Sequence, residues 1–156
     1  MKASFFVATL FSTLAFAAPT PDLTWDNTAV VCAVNKFRAA NGKPALKVDP
    51  QLSEIAQSQA TELSNGKKLI LEELLKDKYK HKYGRFADTS AFNFNWKEFE
   101  ELTQTVDTLK ANLLGDFNVI GVANAKKDDT LYVVESFVEL TDKDAFDKLP
   151  EVECKN

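Results

Sequence analysis

Three side chains in this sequence are of types that commonly do chemistry: His81, the single histidine, and the two cysteines, Cys32 and Cys154. A cysteine nucleophile needs a lowered pKa and a positioned base, and here one histidine would have to serve two thiols far apart in the chain. In an oxidising compartment the simpler outcome is that Cys32 and Cys154 bond to each other; a catalytic thiol is the alternative. His81 lies in the polar stretch KHKYGRFADTSAFNFNW, residues 80–96, with lysines on both sides. An ordinary zinc site needs three or four N, O or S ligands, and His81 supplies one. Glu98, Glu100 and Glu101 follow it, but nothing in their spacing demands a shared metal. A Ser-His-Asp arrangement assembled in space stays open, although no nucleophile-elbow motif accompanies it. The simplest reading of His81 is a solvated or packed side chain. Glu135 is a second anomaly, a carboxylate flanked by Val133 and Phe137 on one strand face.

The segment preceding these residues sets the compartment. Met1-Lys2 is followed by an uncharged run, FFVATLFSTLAFA over residues 5–17, ending in Ala15-Phe16-Ala17, with Pro19 and Pro21 beyond it. A basic start, a short apolar stretch and a small-x-small exit make residues 1–17 a secretory signal peptide rather than a stop-transfer helix, with residues 18–26 as a leader. No second apolar run is long enough to span a bilayer, so no transmembrane segment is expected, and no Asn-x-Ser/Thr sequon is present. The formal charge is −4, and removing the signal takes away only Lys2. An acidic domain has no global attraction to nucleic acid. The length suits one domain, expected to be secreted and extracellular.

The elements that must position these residues can be read from periodicity. Val30, Val34 and Phe37 form a helical stripe capped by Asp26 or Asn27 and stopped by Gly42. Asp49-Pro50 opens a second helix, with Leu52, Ile55, Ala56 and Leu63 buried and Asn65-Gly66 at its end. A third helical stretch over residues 67–80 is apolar at Leu71, Leu74, Leu75 and Tyr79. It runs into a basic cluster of Lys76, Lys78, Lys80, Lys82 and Arg85, read as a solvated helix end, with anionic head groups or a polyanion as the alternative. Residues 80–96 read as loop with a short strand at residues 91–96, whose alternation would set Phe92, Phe94 and Trp96 on one face. From Lys97 a single amphipathic helix carries Phe99, Leu102, Val106, Leu109 and Leu113. FNVIGVANA and TLYVVESFV are strands of an antiparallel hairpin turning at KKDD, and residues 142–149 form a last short helix. The sum is an α+β domain, helices covering a small antiparallel sheet.

Within this layout, VNKFRAANGKPALKVDPQLSEIAQSQA resembles the opening of the CAP superfamily, the cysteine-rich secretory, antigen 5 and pathogenesis-related-1 proteins. Asn35, Arg38, Gly42 and Leu46, then Leu52, Ala56 and Gln57, occupy the places of that family's first two helical motifs. KANLLGDFNVIGVANA and LYVVESF are similar to its later core segments. The resemblance implies an α-β-α sandwich over residues 27–149, followed by a tail, residues 150–156, whose Cys154 would tie the first helix to the carboxyl terminus. It also implies a cleft in which family members often carry two histidines and two acids, sometimes with metal. His81 stands where the first histidine would, and Asn93 and Trp96 match the motif that follows it. The motif's glutamate falls on Phe92, and the second histidine falls on Thr108 or Leu109. No catalytic residue, metal or cofactor is therefore expected.

The function expected is a divergent, non-enzymatic CAP/SCP-domain protein. Its partner would be a lipid or sterol, as the resemblance implies for some relatives, or an extracellular protein. The cleft positions that the resemblance implies are His81, Asn93 and Trp96, and the aromatics Phe86, Phe92, Phe94 and Trp96 could line a groove or simply fill the core. The alternatives are a weak hydrolase or protease using His81 with a nearby carboxylate, and a disulfide-stabilised structural extracellular protein.

Overall fold

The computed structural model of the protein describes residues 25–155; the expected signal peptide, and the expected leader up to residue 24, lie outside the described residues. Among these are six helices and four strands. In chain order they are α1 (Asn27–Ala40), β1 (Lys47–Val48), α2 (Pro50–Ser64), α3 (Leu71–Lys78), β2 (Tyr83–Phe92), α4 (Trp96–Thr105), α5 (Asp107–Leu113), β3 (Val119–Lys127), β4 (Thr130–Leu140) and α6 (Lys143–Asp147).

Local chemistry starts and stops the early helices. The Asp26 carboxylate accepts from the Ala29 N–H at the head of α1, and Asp49 accepts from Gln51 and Leu52 at the head of α2, where Pro50 takes the first helical position. Gly42 and Gly66, with φ of 70° and 75°, turn the chain just past these helices.

The sheet has strand order β1-β3-β4-β2. β3 and β2 pair antiparallel with β4, while the two-residue β1 runs parallel to β3. Side chains alternate between two helical layers. Val119, Ala123, Val134 and Val138 pack against α2 and α3; Ile120, Val122, Val133 and Phe137 pack in the layer of α1, α4 and α5. This is the α-β-α sandwich. β3 meets α2 closely at Gly121, where an added Cβ would lie 2.4 Å from the Leu52 carbonyl carbon.

Two expectations are corrected. The short strand expected at residues 91–96 is instead ten residues long and ends at Phe92. Its pairing runs from Tyr83↔Leu140 to Phe92↔Tyr132, so the β4 ladder imposes extended backbone on a polar stretch that reads locally as loop. Beyond it, Asn93 turns with φ of 60° and Asn95 caps α4 in a reciprocal capping box with Glu98. Phe92, Phe94 and Trp96 therefore share no strand face. The single helix expected from Lys97 to Leu113 is two helices that meet at Val106, whose ψ of 117° is extended. The β-branched residues Thr103, Thr105 and Val106 weaken helix there. The break leaves Val106 exposed and makes Phe99, Glu100 and Thr103 the buried residues of α4.

Candidate functional site

The motif residues of the first helix hold the scaffold. Asn35 brackets Leu46, donating from Nδ2 to its carbonyl at 3.0 Å and accepting its N–H on Oδ1 at 2.8 Å. Arg38 is buried at 1% exposure, and its guanidinium donates to the carbonyls of Pro44, Leu113, Gly115 and Phe117. One planar fork thus ties the end of α1 to the turn after α5 and the approach to β3. Cys32 of α1 is bonded to Cys154 with a Cα–Cα distance of 5.6 Å, which fastens the carboxyl-terminal tail to the same layer.

His81 lies just ahead of β2, in an open groove of about 470 Å³ lined by Asp49, Pro50, Gln51, Asp142, Lys148 and Leu149 among others. Its ring packs edge-on against Tyr79, and Nδ1 is 3.8 Å from Asp142 Oδ2, beyond hydrogen-bond reach. Two carboxylates of this groove have structural partners. Asp142 caps α6 by accepting from the Ala145 N–H. Asp49 caps α2 and also accepts the Tyr79 hydroxyl proton; burial, then that bond, push the Tyr79 pKa up from its ordinary value.

Asn93 and Trp96 stand at the opposite end of β2. Ten residues of strand at about 3.3 Å each separate the two ends by roughly 30 Å, so the fold does not bring His81 together with Asn93 and Trp96. Asn93 accepts from the Leu131 N–H on Oδ1 at 3.2 Å and closes the end of the β2–β4 ladder. Trp96 opens α4 and packs at the margin of the α1 cluster. Phe92, at the place of the family's glutamate, is 64% exposed with its ring tilted against Tyr132. Thr108 is exposed and Leu109 half-buried on α5. Among the described residues no group of three or more His, Cys, Asp or Glu side chains is placed to hold a metal ion.

The most unusual electrostatics lie elsewhere. Glu135 of β4 and Glu100 of α4 are 0% and 4% exposed and face each other beneath the sheet, and no donor satisfies any of their four carboxyl oxygens. Burial pushes Glu100 up to about 6 and Glu135 well above the usual carboxylate range, the latter pushed further by the neighbouring Glu100 charge. Glu135 was conspicuous in the sequence as a carboxylate between apolar strand neighbours. Glu100 stood out only as a carboxylate near His81 in sequence, because its burial follows from the helix break at Val106.

Comparison with known proteins agrees with this architecture. The model of the cysteine-rich secretory protein family, CAP, matches residues 31–138. Three solved structures share the fold. A cysteine-rich secretory protein from Staphylococcus aureus matches with a TM-score of 0.60 and 19% identity, over 71% of this chain and 37% of its own. An outer surface protein from Borrelia burgdorferi matches at 0.66 and 16%, over 72% and 91%. An extracellular protein containing a SCP domain from Bacillus anthracis matches at 0.63 and 16%, over 71% and 39%. This chain thus spans well under half the length of two of them. No curated protein sequence is significantly similar. With Asn35 and Arg38 holding the first helix as described, and with the family model spanning both outer helical layers and the sheet between them, the chain belongs to the CAP family of cysteine-rich secretory proteins.

Proposed function

We propose that this protein is a secreted, non-enzymatic CAP-domain binding protein that meets a lipid or sterol, or an extracellular protein, on an aromatic surface at the end of β2. The observation that carries the reading is Phe92. At the place of a family acid it presents an apolar ring, 64% exposed, beside Tyr132, and Phe86 on the same strand face is 37% exposed. Phe92 and the half-buried Tyr132 together offer an apolar face that favours contact with another molecule over solvation, whereas Phe86 lies six residues, roughly 20 Å, back along the strand. Asn93 and Trp96 follow Phe92 in the chain and are the expected cleft residues that belong to this end. The non-enzymatic part rests on engagement: Asp49 and Asp142, two carboxylates of the groove that holds His81, already serve as helix caps.

Native mass spectrometry of the secreted protein, followed by titration with a sterol and a long-chain lipid, tests the reading. A co-purified lipid mass, or uptake that Phe92→Ser abolishes, supports the lipid arm. An apo mass with no uptake removes that arm and leaves the extracellular protein. Hydrolysis of an ester or peptide substrate that disappears in His81→Ala overturns the non-enzymatic reading.

A further inference from the structure

Glu100 and Glu135 have no place in the binding reading, and they are the described residues whose chemistry is least accounted for. Both are buried in the middle of the molecule, and all four of their carboxyl oxygens lack a donor. The surroundings provide no counter-charge. On either side of Glu135 the sheet presents Thr89 of β2 and Val122 of β3. From α5, Asn112 gives its amide protons to the Asp88 carbonyl and the Thr89 hydroxyl at 3.2 Å each. The α1 side contributes Val30 and Val34, and its buried cation, Arg38, is committed to backbone carbonyls. Gln104, one turn along α4, approaches Glu100, yet no amide proton reaches it in hydrogen-bond geometry. Among the described residues no lysine, arginine or histidine acts on the pair.

Two carboxylates in contact in a dry interior cannot both be ionised without a large desolvation and repulsion cost. A protonated carboxyl supplies what the packing lacks. Its O–H can donate to the facing carboxylate, a short and strong charge-assisted bond.

We propose that a proton shared between Glu100 and Glu135 fastens α4 to the central strand, so that the α4–α5 layer is a pH-sensitive latch, held in acidic and neutral medium and loosened in alkaline medium as the proton departs to solvent. The extended residue Val106 between the two helices gives α4 a joint about which to move. The sign follows from proton counting. Unfolded glutamates release their protons near pH 4.3, whereas the folded pair retains at least one to higher pH. Folding therefore binds protons, and stability falls as pH rises from the unfolded value through the folded ones. For each proton retained, the folding constant falls tenfold per pH unit, about 1.4 kcal/mol.

The test compares the secreted, disulfide-bonded protein with Glu135→Gln, whose amide can donate to Glu100 without a titratable proton. Unfolding midpoints are measured from pH 5 to 9, with hydrogen exchange on α4 and α5 and infrared detection of a neutral carboxyl at pH 7. The expected result is a steeper alkaline loss in the wild type, by about tenfold in folding constant per pH unit over the window in which the proton is held. It comes with faster exchange in α4 and α5 than in α2, and with a neutral-carboxyl band that Glu135→Gln removes. Parallel pH curves, absence of that band in the wild type, or a stoichiometric metal ion retained in native mass spectrometry would overturn the proposal. Should Glu135→Gln fail to fold, Glu100→Gln and the wild-type infrared spectrum still decide the question.

Discussion

Glu135 and Ser136 are adjacent on β4, both buried to 0% exposure, and point into opposite layers. On the α2 side the Ser136 hydroxyl donates to Gln59 Oε1 at 3.0 Å, and Gln59 Nε2 donates to Asp88 Oδ2 at 3.2 Å. The chain of bonds leads from the interior to the exposed edge strand, where its one charge meets water. On the α4 side Glu135 faces only another carboxyl group. Equal burial on one strand thus produces two electrostatic situations, and the difference lies in what the facing helix brings. α2 brings an amide that donates and accepts; α4 brings a second acid. Neutral polar groups that complete each other's bonds should be indifferent to pH, while an acid pair depends on a proton that solvent can remove.

Both layers can be stressed to sharpen this contrast. The largest effect is expected from replacing Cys32 and Cys154 together by serine. Their bond spans a sequence separation of 122 residues, and the loop-entropy account values such a link at up to about 4–5 kcal/mol. Because it ties the tail to α1, hydrogen exchange should rise first in the α1–α4 layer. Loosening that began in α2 instead would contradict the placing of the disulfide's hold in the α1 layer. Next comes Gly121→Val. Its Cβ would be driven against the Leu52 backbone, which cannot retract as a flexible side chain could, so a loss of about 3 kcal/mol is expected in chemical denaturation. That loss belongs to the α2 layer and should leave the pH slope of stability unchanged.

Gln59→Leu breaks the comparison most directly. It strips the Ser136 hydroxyl of its acceptor and Asp88 of a donor, at an expected cost of about 1–3 kcal/mol. The cost should be the same at pH 5.5 and pH 8.5, because neither the amide nor the serine titrates in that interval. A variant whose penalty changed steeply across those two pH values would show that the α2 side carries its own proton-linked group, and the contrast would fail.

How much of this was legible in the sequence depended on how local its cause was. Asp26, Asp49-Pro50 and Gly42 announce helix ends because caps act within a few residues, and the β-branched hairpin strands announce themselves likewise. Asn35 and Arg38 were visible as family positions, but only the fold shows Arg38 collecting four distant carbonyls. β2 was largely hidden. As the outer strand next to β4 it buries only Thr89 fully, so its composition follows solvent while its conformation follows its partner. The expected cleft failed as a cluster for the same reason, since an unrecognised ten-residue strand separates His81 from Asn93. Glu135 was legible as an anomaly without a partner. Glu100 was not, because the apolar stripe through Leu102 and Val106 implied an unbroken helix with another buried face.

The smallest of the effects argued is also the one that best separates the latch from the helix that carries it. Asn95 accepts from Lys97 and Glu98 N–H at 3.0 Å each, and Glu98 returns a bond to the Asn95 N–H at 3.2 Å. Asn95→Ala removes the side-chain half of this box and should cost about 1 kcal/mol. The cap is satisfied by backbone donors and holds α4 whether or not the glutamate pair is protonated. Its loss should therefore lower the unfolding midpoint throughout pH 5 to 9 and displace the curve without altering its slope. In Asn95→Ala combined with Glu135→Gln, the two effects should add, because they act on different ends of the same equilibrium: one on the formation of α4, the other on its attachment to the sheet. A marked departure from additivity would mean that α4 exists only while it is attached. Loss of the proton would then melt the helix instead of releasing it intact.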